Sequence, residues 1–198
     1  MTVGTEAGML AFRFDAGVHD VSGWFDGGPV RALLHRLDLG DAIEWRRLDH
    51  AYVDASGTRW DAPRGWDAFV DALAAREGAD GGAVRALLTD VRAIHAAMYA
   101  TAPARGGVPG LPSDVDAMLA FARAHPIAVR WMDRSFEALL EHHRVPPRAR
   151  ATLLGLAGYL THRPDALRVR DYVPVVGYHL HGGVYPVGGS GVLSGRLA

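Results

Sequence analysis

Two histidines one residue apart, His179 and His181, open a tail that reads HLHGGVYPVGGSGVLSGRLA to Ala198. On a strand, alternate residues share a face, so such a pair could hold a metal there. A catalytic zinc site needs a third protein ligand, and no residue of convincing spacing supplies one. The two imidazoles therefore read as polar groups facing a ligand beside the glycines, or as structural hydrogen-bond partners. The glycines let a backbone approach a planar or phosphorylated ligand closely, or turn tightly with φ > 0. VLSGRLA reads as the first turns of a helix, whose N-terminus favours negative charge. GGSGVLSG has the outline of a phosphate loop but lacks the Gly-Lys-[Ser/Thr] ending, so triphosphate binding is not expected.

The remaining candidates are weaker. His142 and His143 are adjacent near a helix end and point about 100° apart, so they read as structural. No G-x-S-x-G elbow supports a serine hydrolase. No G-x-G-x-x-G opens a helix after a strand, so no dinucleotide fold is encoded. The 198 residues contain no Cys, which removes disulfide and thiolate chemistry. The net charge of −1 argues against bulk attraction to nucleic acid. All 21 basic residues are Arg, a bias that reads as compositional. Of the five Trp, Trp24 stands apart, because with Phe25 it lies in the glycine-rich loop SGWFDGGP, where large aromatics can line an apolar channel.

These residues need elements to hold them. Met9 to Phe14 partly alternates and suits a strand, running into a turn at Asp15-Ala16-Gly17. Pro29 fits the first position of a helix over 30–39, ending at Gly40. Residues 42–48 and 51–53 read as strand, and 52–60 as a hairpin around Asp54–Gly57. Apolar positions 66, 69, 70, 73 and 74 predict a helix over 65–76, and a second apolar face predicts one over 83–99. The Pro/Gly-rich stretch 102–112 reads as a loop and as the best internal boundary. Ser113 is the expected N-cap of a helix over 114–124. Further helices are expected over 129–143 and from Pro146-Pro147 to about Leu160, and residues 172–180 read as helix rather than buried strand. The fold class expected is α+β, predominantly helical. One unit is expected, with strands and a hairpin over 1–64, helices over 65–180 and a glycine-rich return over 181–198. No run of 18 apolar residues predicts a membrane span. The first ten residues lack the pattern of a secretory signal, so a cytoplasmic protein is expected.

Three stretches in order resemble one family: FRFDAGVHDVSGW (12–24), GPVRALLHRLDLGDAIEWRRLD with a hairpin and DASGTRWDAPRGW (28–66), and GGVYPVGGSGVLSGRLA (182–198). Together they are similar to the phytoene desaturase, carotenoid isomerase and retinol saturase branch of the FAD-dependent amine oxidase superfamily. The resemblance implies the substrate-binding domain of a flavoprotein oxidoreductase, lacking the Rossmann-type FAD domain. The family's first βαβ unit and closing cofactor motif have no counterpart here, so the chain alone is expected to be inactive. By resemblance, Asp15, Ala16 and Gly17 form the turn beside the isoalloxazine ring, with His19 just beyond. Gly188 and Gly189 approach the flavin, and Tyr185 and Pro186 the substrate, together with Trp24 and Phe25. His19 and His181 are the candidate acid–base groups. The substrate implied is an apolar polyene or isoprenoid, whose affinity comes from burial at about 25 cal/mol per Å². Met98, Tyr99, Met118 and Met132 are candidates for its wall, or for the core. The partners implied are that small molecule, a separate FAD-domain chain or a second copy, and a membrane surface touched peripherally. The alternative from another class is a non-catalytic binding or interaction module, or a subunit of a split flavoenzyme.

Overall fold

The computed structural model describes residues 2–3, 12–13, 20–54, 56–102, 108–160 and 163–198. Along these residues run β1 (Thr2–Val3), β2 (Phe12–Arg13), α1 (Pro29–Arg36), β3 (Trp45–Arg47), β4 (His50–Val53) and β5 (Arg59–Ala62). The helices α2 (Trp66–Arg76), α3 (Gly81–Ala100), α4 (Val115–Ala124), α5 (Pro126–Trp131), α6 (Phe136–His142) and α7 (Pro147–Leu154) follow. The last elements are α8 (Val169–His181), β6 (Val184–Pro186) and α9 (Ser190–Leu197). Helix predominates and the strands form three separate two-stranded antiparallel ladders, β1–β2, β3–β6 and β4–β5. This is the α+β class, mostly helical, that the periodicities predict.

The chain divides into two units. One comprises Met1–Leu48 with Gly183–Ala198, and the other Asp49–Gly182. The strand and hairpin part expected over 1–64 of a single unit is thus divided after Leu48, and the division does not fall at the 102–112 loop. The reason is packing: Tyr52 of β4 and Trp60 of β5 stack at 5.4 Å, and both rings meet Phe69 of α2 at 6.4 and 5.6 Å. The hairpin thus belongs with the helices.

In the Asp49–Gly182 unit, α3 is the axis. Val84, Leu87, Leu88, Val91, Ile94, His95 and Met98 recur every three or four positions and are all buried. Such a stripe faces one way on a 3.6-residue helix, and α2, α5 and α8 pack around α3. Gly81 lets α2 and α3 meet, since a Cβ there would lie 2.5 Å from the Ala74 carbonyl oxygen. The helix expected over 129–143 is two helices. Ser135 separates them: its Oγ accepts the Ala138 N–H at 3.2 Å, and the Phe136 N–H donates to the Leu167 carbonyl at 2.7 Å. A side-chain cap satisfies one of the donors that a new helix start exposes. At α4 the cap is Asp114 rather than Ser113, with Oδ1 accepting from Ala117 N–H at 2.8 Å. α7 stops at Leu154, and a short 3-10 turn at Ala157–Tyr159 takes the place of its expected continuation.

In the other unit the β3–β6 ladder sets Trp45 opposite Pro186, Arg46 opposite Tyr185 and Arg47 opposite Val184. The Leu48 N–H donates to the Gly183 carbonyl at 2.9 Å. The chain therefore leaves this unit and returns to it at neighbouring points. Leu34 of α1, Ile43 and Val184 are its buried aliphatic side chains among the described residues. No helix among the described residues is long and apolar enough to cross a membrane.

Candidate functional site

The strongest concentration of titratable groups lies on α3 and α8, inside the Asp49–Gly182 unit. His95 occupies a position in the apolar stripe of α3 and is 5% exposed. Tyr99, one turn later, stacks on it at 4.3 Å. His181, the last residue of α8, brings its ring within 5.2 Å of His95. Trp66, the first residue of α2, donates its indole N–H to His181 Nε2 at 3.3 Å. A nitrogen that accepts carries no proton, so neutral His181 is protonated on Nδ1. Arg92 lies 5.8 Å over the Trp66 ring while its guanidinium pairs with Asp67 at 2.7 Å.

The backbone is shaped around His95. Gly177 of α8 faces it so closely that a Cβ there would lie 2.0 Å from the ring's Cδ2 and 2.3 Å from Nε2. A glycine inside a helix costs roughly 1 kcal/mol against alanine, and here it makes the room that the imidazole occupies. Burial pushes His95 down to about 4, and the charge of His181 pushes in the same direction. His181 is lowered by burial first and by the Arg92 guanidinium second. Both rings are neutral at pH 7. At that pKa His95 is a weak general base and serves better as a fixed hydrogen-bonding group in a dry wall.

The His-x-His pair does not act together. Because α8 is helical through His181, residues two apart point to different sides. His179 meets His50 edge-on at 4.7 Å, while His181 turns to His95. Among the described residues no three His, Asp or Glu side chains gather as a metal site. His143 Nε2 lies 2.9 Å from Asp90 Oδ2, and His142 packs at 5.0 Å from Trp131, both structural contacts.

In the unit of β3 and β6, the remaining candidates take up positions around one short ladder. Trp24 stacks on Trp45 at 4.8 Å with 29° between the ring planes, and Trp45 is the register partner of Pro186. The Trp45 indole N–H is buried with no hydrogen-bond acceptor among the described residues. Phe25 and Tyr185 are half-buried and Pro186 is buried. Gly188 and Gly189 have φ of +95° and +96°, and they form the turn into α9. Only glycine takes such angles cheaply, which accounts for the pair. Asp15, Ala16, Gly17 and His19 lie outside the described residues.

Of the four proposed wall residues, Met98 and Met132 come together. They line a groove of about 430 Å³ with Pro109, Leu111, Pro112 and Arg170. Both are also core side chains, at 4% and 2% exposure. Tyr99 goes to the histidine cluster, and Met118 packs against the core. Two members of the cluster, His95 and Trp66, carry no motif in the sequence. Their signal was a polar ring in an otherwise apolar stripe and a glycine inside a facing helix. No family model, curated protein or solved structure matches this chain.

Proposed function

We propose that this chain is the substrate-side part of an FAD-dependent oxidoreductase of the phytoene desaturase and retinol saturase kind, acting on an apolar polyene or isoprenoid. The observation that carries the reading is the pairing of β3 with β6. It puts EWRR next to VYP, two of the stretches on which the resemblance rests, with the helical residues 49–182 inserted between them. A helical substrate domain inserted between flavin-domain strands has this connectivity.

The residues present suit a flavin in two respects. The Gly188–Gly189 turn leaves backbone without side chains on it, which a flat ring requires for close approach. The buried indole N–H of Trp45 is a donor for which a ligand carbonyl is a fitting acceptor. Bound flavin would supply hydride transfer at a carbon–carbon bond. This chain's own residues would orient the substrate and keep water out, with Trp24, Phe25, Tyr185 and Pro186 as apolar surface. An interaction module is the second reading, favoured by the exposure of Leu33, Leu37, Val187 and Leu197 in the same unit.

Purified chain is to be mixed with excess FAD, alone and with the product of a neighbouring gene that carries a G-x-G-x-x-G unit, and visible spectra taken after gel filtration. A flavin band co-eluting with this chain, alone or in the mixture, is the expected result. A protein that stays colourless under both conditions sinks the flavoenzyme reading and leaves the interaction module.

A further inference from the structure

A second concave site lies in the Asp49–Gly182 unit, away from the histidine cluster and unused by the reading above. It is a cleft of about 150 Å³ between the β4–β5 hairpin, the end of α2 and one side of α7, from Arg148 to Gly155. Tyr52 and Trp60 form its aromatic wall, Thr58 and Thr152 add hydroxyls, Asp54 adds a carboxylate, and Arg76 and Arg148 supply two cations. Arg76 lies over Trp60, its guanidinium carbon 4.5 Å from the ring centroid. A stacked guanidinium keeps its N–H donors in its own plane, directed sideways to whatever lies at the edge. One of those donors, Nε, is buried and has no acceptor among the described residues.

Arg64 pairs with Asp49, Arg92 with Asp67, Arg163 with Asp165 and Arg170 with Asp133. Neither Arg76 nor Arg148 forms an ion pair with any described residue. The acidic groups nearest in the field are Asp54 and Glu77. Asp54 is committed to its own turn, where Oδ1 accepts from the Ser56 N–H at 2.9 Å and the Thr58 N–H at 3.0 Å. Burial lowers the proton affinity of Arg76, and the neighbouring charge of Arg148 lowers it further. Arg148 also follows Pro147, the first residue of α7, so the positive end of that helix adds to the excess of positive charge. With two guanidinium groups against the one carboxylate of Asp54 among its lining residues, the cleft keeps an excess of positive charge, which a doubly charged oxyanion satisfies.

We infer that this cleft binds a phosphoryl group, presented as inorganic phosphate or as a small phosphate monoester, with Arg76 and Arg148 clamping its oxygens. The size suits the anion and little of the molecule it is attached to, since clefts for drug-sized ligands run from about 300 Å³ upward. A carboxylate monoanion answers only one of the two charges and binds more weakly. The inference rests on the Asp49–Gly182 unit and is independent of the flavin reading.

The test is titration of the full chain with sodium phosphate, with glycerol 3-phosphate and with sodium acetate, at ionic strength held constant with sodium chloride. Binding is followed by isothermal calorimetry and by the thermal midpoint. Phosphate and the monoester are expected to bind and to raise the midpoint, while acetate does not. Phosphate binding without monoester binding identifies the free ion as the ligand and still supports the site. Arg148→Gln, at an exposed side chain, is expected to weaken phosphate binding about tenfold, as loss of one charge-assisted contact does. Arg76→Gln should do the same, and Arg148→Lys should retain part of the affinity. Equal response to acetate and phosphate, no binding above the chloride control, or unchanged affinity in Arg148→Gln overturns the proposal.

Discussion

His95 shows what a single buried ring can impose. It is neutral when folded because burial holds it at about 4, well below the ordinary histidine value of 6.5. In the unfolded chain it takes up a proton as the pH falls through 6.5. Between pH 6.5 and about 4 the unfolded state therefore binds a proton that the folded state refuses, and acidification costs stability. At pH values above 6.5 the contribution is complete, and by pH 4 up to about 3 kcal/mol of it is gone. Thermal midpoints measured from pH 7.5 to 4 should fall more steeply for the native chain than for His95→Leu. Parallel curves for the two proteins would show that His95 is not the group responsible. None of this could be read from a motif. The stripe Val84, Leu87, Leu88, Val91, Ile94 and Met98 was legible as a buried face. That a histidine in it is tolerated depends on Gly177, more than eighty residues away in sequence, and no local pattern pairs the two.

Element positions were mostly legible, because helices and hairpins are written in local periodicity. α2, α3, α4 and the hairpin stand close to where the apolar spacing and turn residues put them. The break between α5 and α6 was missed, since the Ser135 cap works only with the Leu167 carbonyl that receives the Phe136 N–H. The α2–α3 junction gives a sharper test of how an element boundary depends on a neighbour. Gly81 and Gly82 are adjacent, and both are at the start of α3. A Cβ at 81 meets the Ala74 backbone at 2.5 Å, whereas a Cβ at 82 meets nothing within 4 Å. Gly82→Ala should raise stability by about 0.5–1 kcal/mol, through the smaller entropy of the unfolded chain. Gly81→Ala should lower it by about 1–3 kcal/mol, because the α2 backbone must shift. Urea denaturation of the two variants decides this, and equal effects would mean that the junction is not the tight contact described.

At the scale of the whole chain, the division of the sequence into units was the least legible property. The Pro/Gly-rich stretch 102–112 suggested the best internal boundary, but a ladder between residues 45–47 and 184–186 cannot be seen from either strand alone. The consequence for stability is direct. The buried cluster from Trp66 to Leu180 lies entirely within Asp49–Gly182, so that stretch has a core of its own. Expressed alone, residues 49–182 should give a helical circular dichroism spectrum and one cooperative thermal transition. A non-cooperative melt would show that the other unit is needed for the core to form. Of the site, the tail glycines and Trp24 were visible from composition, whereas the Arg76–Arg148 cleft was not, because its two cations come from helices that nothing local connects. The β3–β6 ladder also sets a timetable. During synthesis β3 emerges roughly 140 residues before β6, which at 5–20 residues per second is on the order of ten to thirty seconds. For that interval its hydrogen-bonding edge has no partner strand from this ladder, so the nascent chain depends on early folding of the inserted helices to shorten its exposure to aggregation.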